Sequence, residues 1–282
     1  MAPNTFRNWA GNQVCLPAER LSPRTVDEVA AVVQRAAASG LRVKVVGAGH
    51  SFTAAACTDG ILLSLDHLSA VESIDREQRQ VTVQAGIRLK DLNAALDGVG
   101  LAMPNLGDIA YQSVAGAIAT ATHGTGATLG NLATTVIGME LVTGSGERVW
   151  CDGDQRADVW RVARVGVGAL GVVTRVKLQC VDAFDLHAIE SIEPLDDVLD
   201  DFAGNAARND HFEFFWMPGA RRCQVKRNNR TTEARRPQPR LSYVRDKIVA
   251  ENLAFGLVTK VGAVPERRAA YRQAGRLGSA GS

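Results

Sequence analysis

The sequence predicts an α+β fold, and three observations carry the prediction. A capped amphipathic helix runs into a β-strand that ends in a glycine turn near residue 47. Short strand-like runs then recur between residues 61 and 178 with few helical periods among them. A Gly-Ser-Gly turn at 144–146 joins two of those runs as a hairpin.

The elements follow in order. Thr25 and Glu28 have capping-box spacing, and Val26, Val29, Ala30, Val33, Ala36 and Ala37 recur on one face up to Gly40, which predicts a helix. Leu41 to Val46 reads as a strand running straight into Gly47-Ala48-Gly49-His50-Ser51. Ile61 to Leu65 and Val81 to Ala85 read as further strands, and Leu89 to Leu96 as a short helix ending towards Gly98 and Gly100. Val136 to Val142 and Glu147 to Cys151 flank the hairpin turn, Asp158 to Val165 reads as helical, and Gly171 to Leu178 alternates apolar and polar residues over a strand length. Beyond it, Asp210 to Met217 and Arg222 to Lys226 read as strands and Leu241 to Leu257 as a helix.

Composition excludes several classes. With 282 residues, 46% hydrophobic and 22% charged, the chain is globular rather than disordered or fibrous. A net charge of +2 gives no whole-chain reason to expect nucleic acid. The total conceals an asymmetry, for residues 1–204 hold 16 basic and 24 acidic side chains and residues 205–282 hold 16 and 6. This change of sign predicts a boundary near Asn205; the basic segment as a nucleic-acid arm is a weaker reading, because few aromatics are interleaved with it. No run of 18 apolar residues exists, and the first ten residues show no apolar core of a secretory signal. A cytoplasmic home is expected, with a peripheral membrane position left open. Cys15, Cys57, Cys151, Cys180 and Cys223 have no C-x-x-C spacing and read as reduced thiols, and no metal is expected. The run at 276–282 reads as a frayed tail.

Two stretches carry chemistry. In Val45-Val46-Gly47-Ala48-Gly49-His50-Ser51-Phe52 the glycines let backbone N–H groups approach an anion. Phe52 stands where the dinucleotide fingerprint G-x-G-x-x-G requires its third glycine, so a nicotinamide site is disfavoured. The second stretch runs from Asn105-Leu106-Gly107-Asp108 through Ser113-Val114-Ala115-Gly116-Ala117-Ile118-Ala119-Thr120-Ala121-Thr122-His123-Gly124-Thr125-Gly126. So little side chain implies backbone pressed against something flat or anionic, or else a tight packing turn. A pyrophosphate-bearing cofactor, held by N–H donors and by Ser113, Thr120 and Thr122, explains both stretches.

These motifs, with Gly168-Ala169-Leu170-Gly171-Val172-Val173-Thr174-Arg175-Val176 after them, resemble the FAD-binding domain of the vanillyl-alcohol-oxidase (PCMH) type. Within it the chain is similar to the sugar-1,4-lactone oxidases and dehydrogenases, the gulono-, galactono- and arabinono-lactone enzymes, with alditol oxidase as a relative. The resemblance runs from about Asn8 to Asn229 and includes His211 to Trp216 and Lys226 to Asn229. It implies a two-subdomain FAD-binding domain over 8–182, an incomplete α+β substrate cap over 183–275, and a disordered tail over 276–282.

By matching positions the resemblance places Val45, Val46, Gly47, Ala48, Gly49, His50 and Ser51 along one side of FAD. Gly107, Asp108, Ser113, Gly116, Thr120, Ala121, Thr122 and His123 lie on the other, with Val172 or Val173 touching through the backbone. It implies a covalent bond from His50 to the flavin 8α carbon; the residues alone leave His50 open as a turn or core histidine. At Gly107 it implies a missing Cβ beside the flavin that would leave dioxygen a path. The implied reaction is hydride transfer from C2 of an aldono-1,4-lactone to flavin N5, as in ascorbate-type biosynthesis, with dioxygen, cytochrome c or another acceptor taking the electrons. The family's His-Trp-x-Lys segment is not found in the 282 residues, so the substrate-side base is left unassigned and a flavin-binding remnant without turnover is the alternative.

Overall fold

The computed structural model describes residues 4–234, which fall into two compact units. The first comprises residues up to Gly124 and Leu129–Ala183; the second comprises Thr125–Thr128 and the chain from Phe184.

The first unit holds two sheets of different character. Strands Glu19–Leu21, Ile61–Ser64 and Val43–Val46 form a parallel sheet with Ile61–Ser64 in the centre. Helix Val26–Ala38 joins the two edge strands, and the segment from Gly47 to Gly60 makes the crossover between the parallel neighbours Val43–Val46 and Ile61–Ser64. Its capping residue behaves as expected: Thr25 Oγ1 accepts from the Glu28 N–H at 3.1 Å, while Glu28 Oε2 reaches back to the Arg24 N–H at 2.7 Å. The strand after it begins at Val43 rather than Leu41, because Gly40 turns at φ +64° and the Leu41 N–H still bonds the Ala36 carbonyl of the helix end. A central parallel strand is covered on both faces, and Ile61, Leu62 and Leu63 are all buried.

The second sheet of this unit is antiparallel and five-stranded, in the order Arg148–Asp152, Val136–Val142, Val172–Gln179, Gln80–Gln84 and Val71–Asp75. Val172–Gln179 alternates buried and half-buried residues along its whole length, as its sequence requires. Helices Leu89–Asp97 and Val114–Ala119 lay Leu89, Leu92, Leu96, Val114, Ala117 and Ile118 on the core that Val81, Val83, Met139, Val176 and Leu178 supply from the sheet. The hairpin turn closes through the Gly146 N–H to the Thr143 carbonyl, with Gly146 at φ +81°. Asp158 to Val165 appears as helix Ala157–Ala163.

In the second unit, strands Asp185–Pro194, Arg222–Thr231 and His211–Phe215 form an antiparallel sheet with Arg222–Thr231 central. Two short helices, Leu195–Asp200 and Phe202–Arg208, follow the first strand, and Val198 packs with Cys223 and Val225. Asn205 is not at a boundary. It is buried in the second helix, where its N–H bonds the Asp201 carbonyl and its side-chain oxygen accepts from Arg227 Nε at 2.9 Å. The change of charge therefore falls inside a compact unit that takes up the chain from Phe184, not at a linker. The helix expected over 241–257 and the tail at 276–282 lie outside the described residues.

Candidate functional site

Strand Val43–Val46 delivers the chain into the turn at Gly47–Phe52, whose carbonyls are bound from one side. The Gly49 carbonyl accepts from the Trp9 N–H at 2.9 Å and the Ser51 carbonyl from Asn8 Nδ2 at 2.9 Å. The Phe52 carbonyl accepts from Asn12 Nδ2 at 3.0 Å and from Gln13 Nε2 at 3.4 Å. In a trans peptide the C=O and the following N–H point opposite ways. The N–H groups of His50, Phe52 and Thr53 are therefore turned away from the N-terminal segment. Gly49, at φ +71°, gives the reversal a conformation that only glycine adopts cheaply.

The second small-residue stretch is helical in its centre, not a loop. Ser113 caps helix Val114–Ala119, accepting from the Gly116 N–H at 3.3 Å. The end of that helix is a Schellman turn: the Ala121 N–H bonds the Ile118 carbonyl, the Thr122 N–H bonds the Ala117 carbonyl, and Ala121 is left-handed at φ +53°. Thr120 Oγ1 donates to the Gly116 carbonyl at 3.0 Å.

The two stretches meet at Gly47, where a Cβ would lie 2.2 Å from Ser113 Oγ. Beside this contact the first unit holds a cavity of about 660 Å³, within the range that takes a cofactor-sized ligand. Val45, Gly47, Ala48, Gly49, His50, Ser51, Ser113, Gly116, Thr120, Val172 and Val173 line it. Val46 is instead buried against Phe6 and Leu62 on the other face of its strand.

Gly107, Asp108, Ala121, Thr122 and His123 are not in the cavity wall. Gly107 and Gly124 serve a close approach of two turns: a Cβ on Gly107 would lie 2.9 Å from the His123 carbonyl oxygen, and one on Gly124 would lie 2.2 Å from the Leu106 carbonyl oxygen. His123 Nδ1 lies 2.8 Å from the Gly124 carbonyl. These glycines answer to the packing reading of the stretch.

Other wall residues were not among the expected contacts. The hairpin turn contributes Thr143 and Gly144, and the loop before Gly171 contributes Val167 to Leu170. Val167 is left-handed at φ +49°, a costly conformation for a β-branched residue. Gly86 is also in the wall, where a Cβ would lie 1.9 Å from the Leu65 carbonyl oxygen.

His50 is half-buried, with its ring centroid 5.3 Å from that of Trp9. Burial first, and then the positive charge of Arg88, hold its imidazole below the ordinary histidine value, so the ring is neutral at neutral pH. Arg88 Nη2 donates to Asp66 Oδ1 at 2.5 Å, and its Nη1 is buried with no hydrogen-bond partner among the described residues. Asp66 is itself in the cavity wall.

This donor set fits a flavin dinucleotide. Backbone N–H groups and the hydroxyls of Ser51 and Ser113 suit a pyrophosphate, apolar wall residues such as Val45, Val172 and Val173 suit a flat ring, and the neutral His50 is in the same wall. Among the described residues no group of three or more His, Cys, Asp or Glu is placed to hold a metal ion, and no helix is long and apolar enough to cross a membrane.

Comparison with known proteins also points to FAD. Residues 17–152 match the FAD binding domain family model, and residues 176–272 match that of D-arabinono-1,4-lactone oxidase. The chain is 39% identical over 251 residues to L-gulono-1,4-lactone dehydrogenase of Mycobacterium tuberculosis, covering 89% of this chain and 57% of that protein. It is 40% identical over 220 residues to L-gulonolactone oxidase of Bos taurus, covering 78% and 50%. With D-arabinono-1,4-lactone oxidase of Eremothecium gossypii the identity is 34% over 232 residues, covering 81% and 44%. The chain thus spans about half the length of the curated relatives it matches. A solved structure of a solvent-stable cholesterol oxidase superposes with a TM-score of 0.76 at 20% identity, covering 98% of this chain and 59% of that one, and shows the PCMH-type FAD-binding fold. The chain belongs to the FAD-linked sugar-1,4-lactone oxidase and dehydrogenase family.

Proposed function

We propose that this chain carries the flavin half of an oxidoreductase acting on an aldono-1,4-lactone. The observation that carries the reading is the meeting of Gly47 and Ser113, which joins the two small-residue stretches around one cavity of cofactor size. FAD bound there supplies a two-electron acceptor for the hydride on C2 of the lactone. The N–H groups of the Gly47–Phe52 turn and the Ser113 hydroxyl would hold the pyrophosphate, Thr120 lining the wall with its hydroxyl proton given to the Gly116 carbonyl, and Val172 and Val173 would lie along the ring system. Gly107, Asp108, Ala121, Thr122 and His123 are outside this wall, with Thr122 Oγ1 accepting from the wall residue Gln112 at 3.2 Å. His50, whose neutral imidazole keeps one ring nitrogen free to act as a nucleophile, is the residue that would bear the covalent link to the flavin 8α carbon.

In this reading residues 8–182 are the FAD domain, and residues 183–275 belong to the part that seats the lactone. L-gulono-, L-galactono- and D-arabinono-1,4-lactone are the substrates to test, with dioxygen, cytochrome c or a dye as acceptor. The test is the purified chain itself. Flavin absorbance that survives purification, together with its bleaching by one of these lactones under anaerobic conditions, is the expected result. A colourless protein that binds no added FAD would overturn the cofactor assignment. A yellow protein indifferent to every lactone would leave flavin binding standing and favour the flavin-binding remnant without turnover.

A further inference from the structure

Among the described residues, Asp66 carries the one carboxylate in the cavity wall. It follows the central strand Ile61–Ser64 and sits in a turn closed by the Leu68 N–H on the Leu65 carbonyl at 2.9 Å, while its own N–H donates to Ser64 Oγ at 3.3 Å. The Gly86 N–H bonds the Leu68 carbonyl at 2.9 Å, which locks the turn from the next segment. Two residues further on, Arg88 donates from Nη2 to Asp66 Oδ1 at 2.5 Å. Arg88 Nη1 is buried without a partner, so one hydrogen bond joins the pair and not two, and Asp66 Oδ2 has no partner among the described residues. The Asp66 side chain is 52% exposed, which leaves the carboxylate open to an occupant of the cavity.

We propose that Asp66, positioned by Arg88, accepts a hydrogen bond from a hydroxyl of the ribityl chain of FAD, an inference that rests on the FAD reading above. A carboxylate accepts hydrogen bonds and repels phosphate, so its partner in the cavity is a donor. FAD offers polyol hydroxyls, the adenine amino group and the flavin N3–H. The placement of the pair selects among them. The backbone of Arg88 is bridged to that of Ser113, and the Leu89 N–H bonds the carbonyl of the wall residue Gln112 at 3.0 Å. Arg88 therefore stands next to the serine whose hydroxyl suits the pyrophosphate. Its charge also reaches His50, whose imidazole is held down first by burial and then by Arg88. The ribityl chain is the part of FAD that runs between the pyrophosphate and the ring that His50 would bond.

Arg88 serves this bond in two ways. It fixes the direction of the carboxylate, and it balances a negative charge that would otherwise oppose the pyrophosphate. A hydrogen bond from a hydroxyl to a carboxylate is about twice as strong as one between neutral groups, so a flavin without that hydroxyl loses more than a neutral contact would give.

Apoprotein from riboflavin-starved cells is titrated with FAD and with its 2′-, 3′- and 4′-deoxyribityl analogues, and binding is read from flavin fluorescence. Each titration is repeated on a His50→Gln background, where no covalent bond can mask the equilibrium. In the wild type one analogue should bind about 10- to 100-fold more weakly than FAD. Asp66→Ala should weaken FAD by a similar factor and bind that analogue as well as it binds FAD. Asp66→Asn, whose amide oxygen can keep the Arg88 bond, is run beside it so that misfolding of the alanine variant, seen by circular dichroism, leaves a second measurement; there the ratio of the two affinities should shrink to a few-fold. Arg88→Met should shrink the same ratio without touching the carboxylate itself. Ratios that stay at their wild-type values in the Asp66 variants would overturn the ribityl contact, whatever happens to the affinity for FAD. A ratio that collapses only for FAD made with 2′-deoxyadenosine would place Asp66 at the other sugar and overturn it as well. Wild-type protein that binds neither FAD nor any analogue would overturn the FAD reading and this contact together, whereas FAD bound with unmoved ratios removes the contact alone.

Discussion

Gly47 stands so close to Ser113 that any side chain on it would displace the serine hydroxyl from its place at the head of helix Val114–Ala119. Gly47→Ala therefore expels a helix cap, and the expected loss is about 1–2 kcal/mol. Ser113→Ala removes both the cap and the obstacle. In a double-mutant cycle by chemical denaturation, Gly47→Ala should cost clearly less in the Ser113→Ala background. Additive losses would show that the two stretches do not meet through this contact.

His50 gives a prediction in pH. Its imidazole is held below the ordinary value of about 6.5, chiefly by burial and then by Arg88. Above that value the folded and unfolded states are alike in this group; as the pH falls past it the unfolded chain takes the proton first, so stability declines. Proton NMR should find the His50 ring titrating at lower pH than free histidine, and His50→Gln should flatten the decline. If the covalent link is made, wild-type protein precipitated with acid keeps its flavin and His50→Gln releases all of it.

The glycines divide into two groups with opposite expected outcomes. Gly116 is in the cavity wall, and a Cβ on it meets only the Ser113 hydroxyl, at 2.9 Å. Gly116→Val should fold, by far-ultraviolet circular dichroism, yet fail to bind FAD. Gly124 is outside the wall, and a Cβ there meets the carbonyl oxygen of Leu106. Gly124→Ala should therefore unfold or lose about 2–4 kcal/mol whether or not FAD is present.

Ala121 occupies the left-handed position of a Schellman turn with a side chain that disfavours it. Ala121→Gly is expected to raise stability by about 0.5–1 kcal/mol, because the strain is relieved at a site already fixed by two hydrogen bonds. Differential scanning calorimetry would register it as a higher melting temperature, and a fall would contradict the turn.

Among the described residues of the second unit, one carboxylate is strongly shifted. Arg227 first, and then Ser191, hold Glu193 down to about 2, with Arg227 Nη1 at 2.6 Å from Glu193 Oε1. The stabilisation is whole above the unfolded value, near 4.5, and is lost as pH falls towards 2. Glu193→Gln should cost about 1–2 kcal/mol at neutral pH and little in strong acid, a difference that urea titrations at two pH values would resolve.

How much of this was legible depends on where each residue finds its partner. The Thr25–Glu28 cap and the alternation of residues 171–178 act within their own segments, and both were readable. Glycine and alanine around residues 107–124 announce close approach, but not what approaches: at Gly116 it is a cavity, at Gly124 another turn. Strand Asp185–Pro194 shows no period because most of its side chains are exposed, and its pairing with Arg222–Thr231 is what makes it a strand. Asn8, Asn12 and Gln13 were beyond reach for a similar reason, since polar side chains that bind a remote backbone leave no pattern near themselves.

The order of strands in the antiparallel sheet has a consequence for the making of the protein. Val83 is paired with Val176, which a ribosome adds much later in the same chain. At about 5–20 residues per second, strand Gln80–Gln84 waits roughly 5–20 s for that partner. During the wait Val81 and Val83 present an apolar, unpaired edge of the kind that chaperones cover. The parallel sheet and its glycine turn can assemble early, from residues 19–64 alone, but the cavity has no far wall until Val172 and Val173 have left the exit tunnel. A nascent chain stalled short of those residues would already display the Gly47–Phe52 turn, yet would have no enclosed place in which to retain a cofactor.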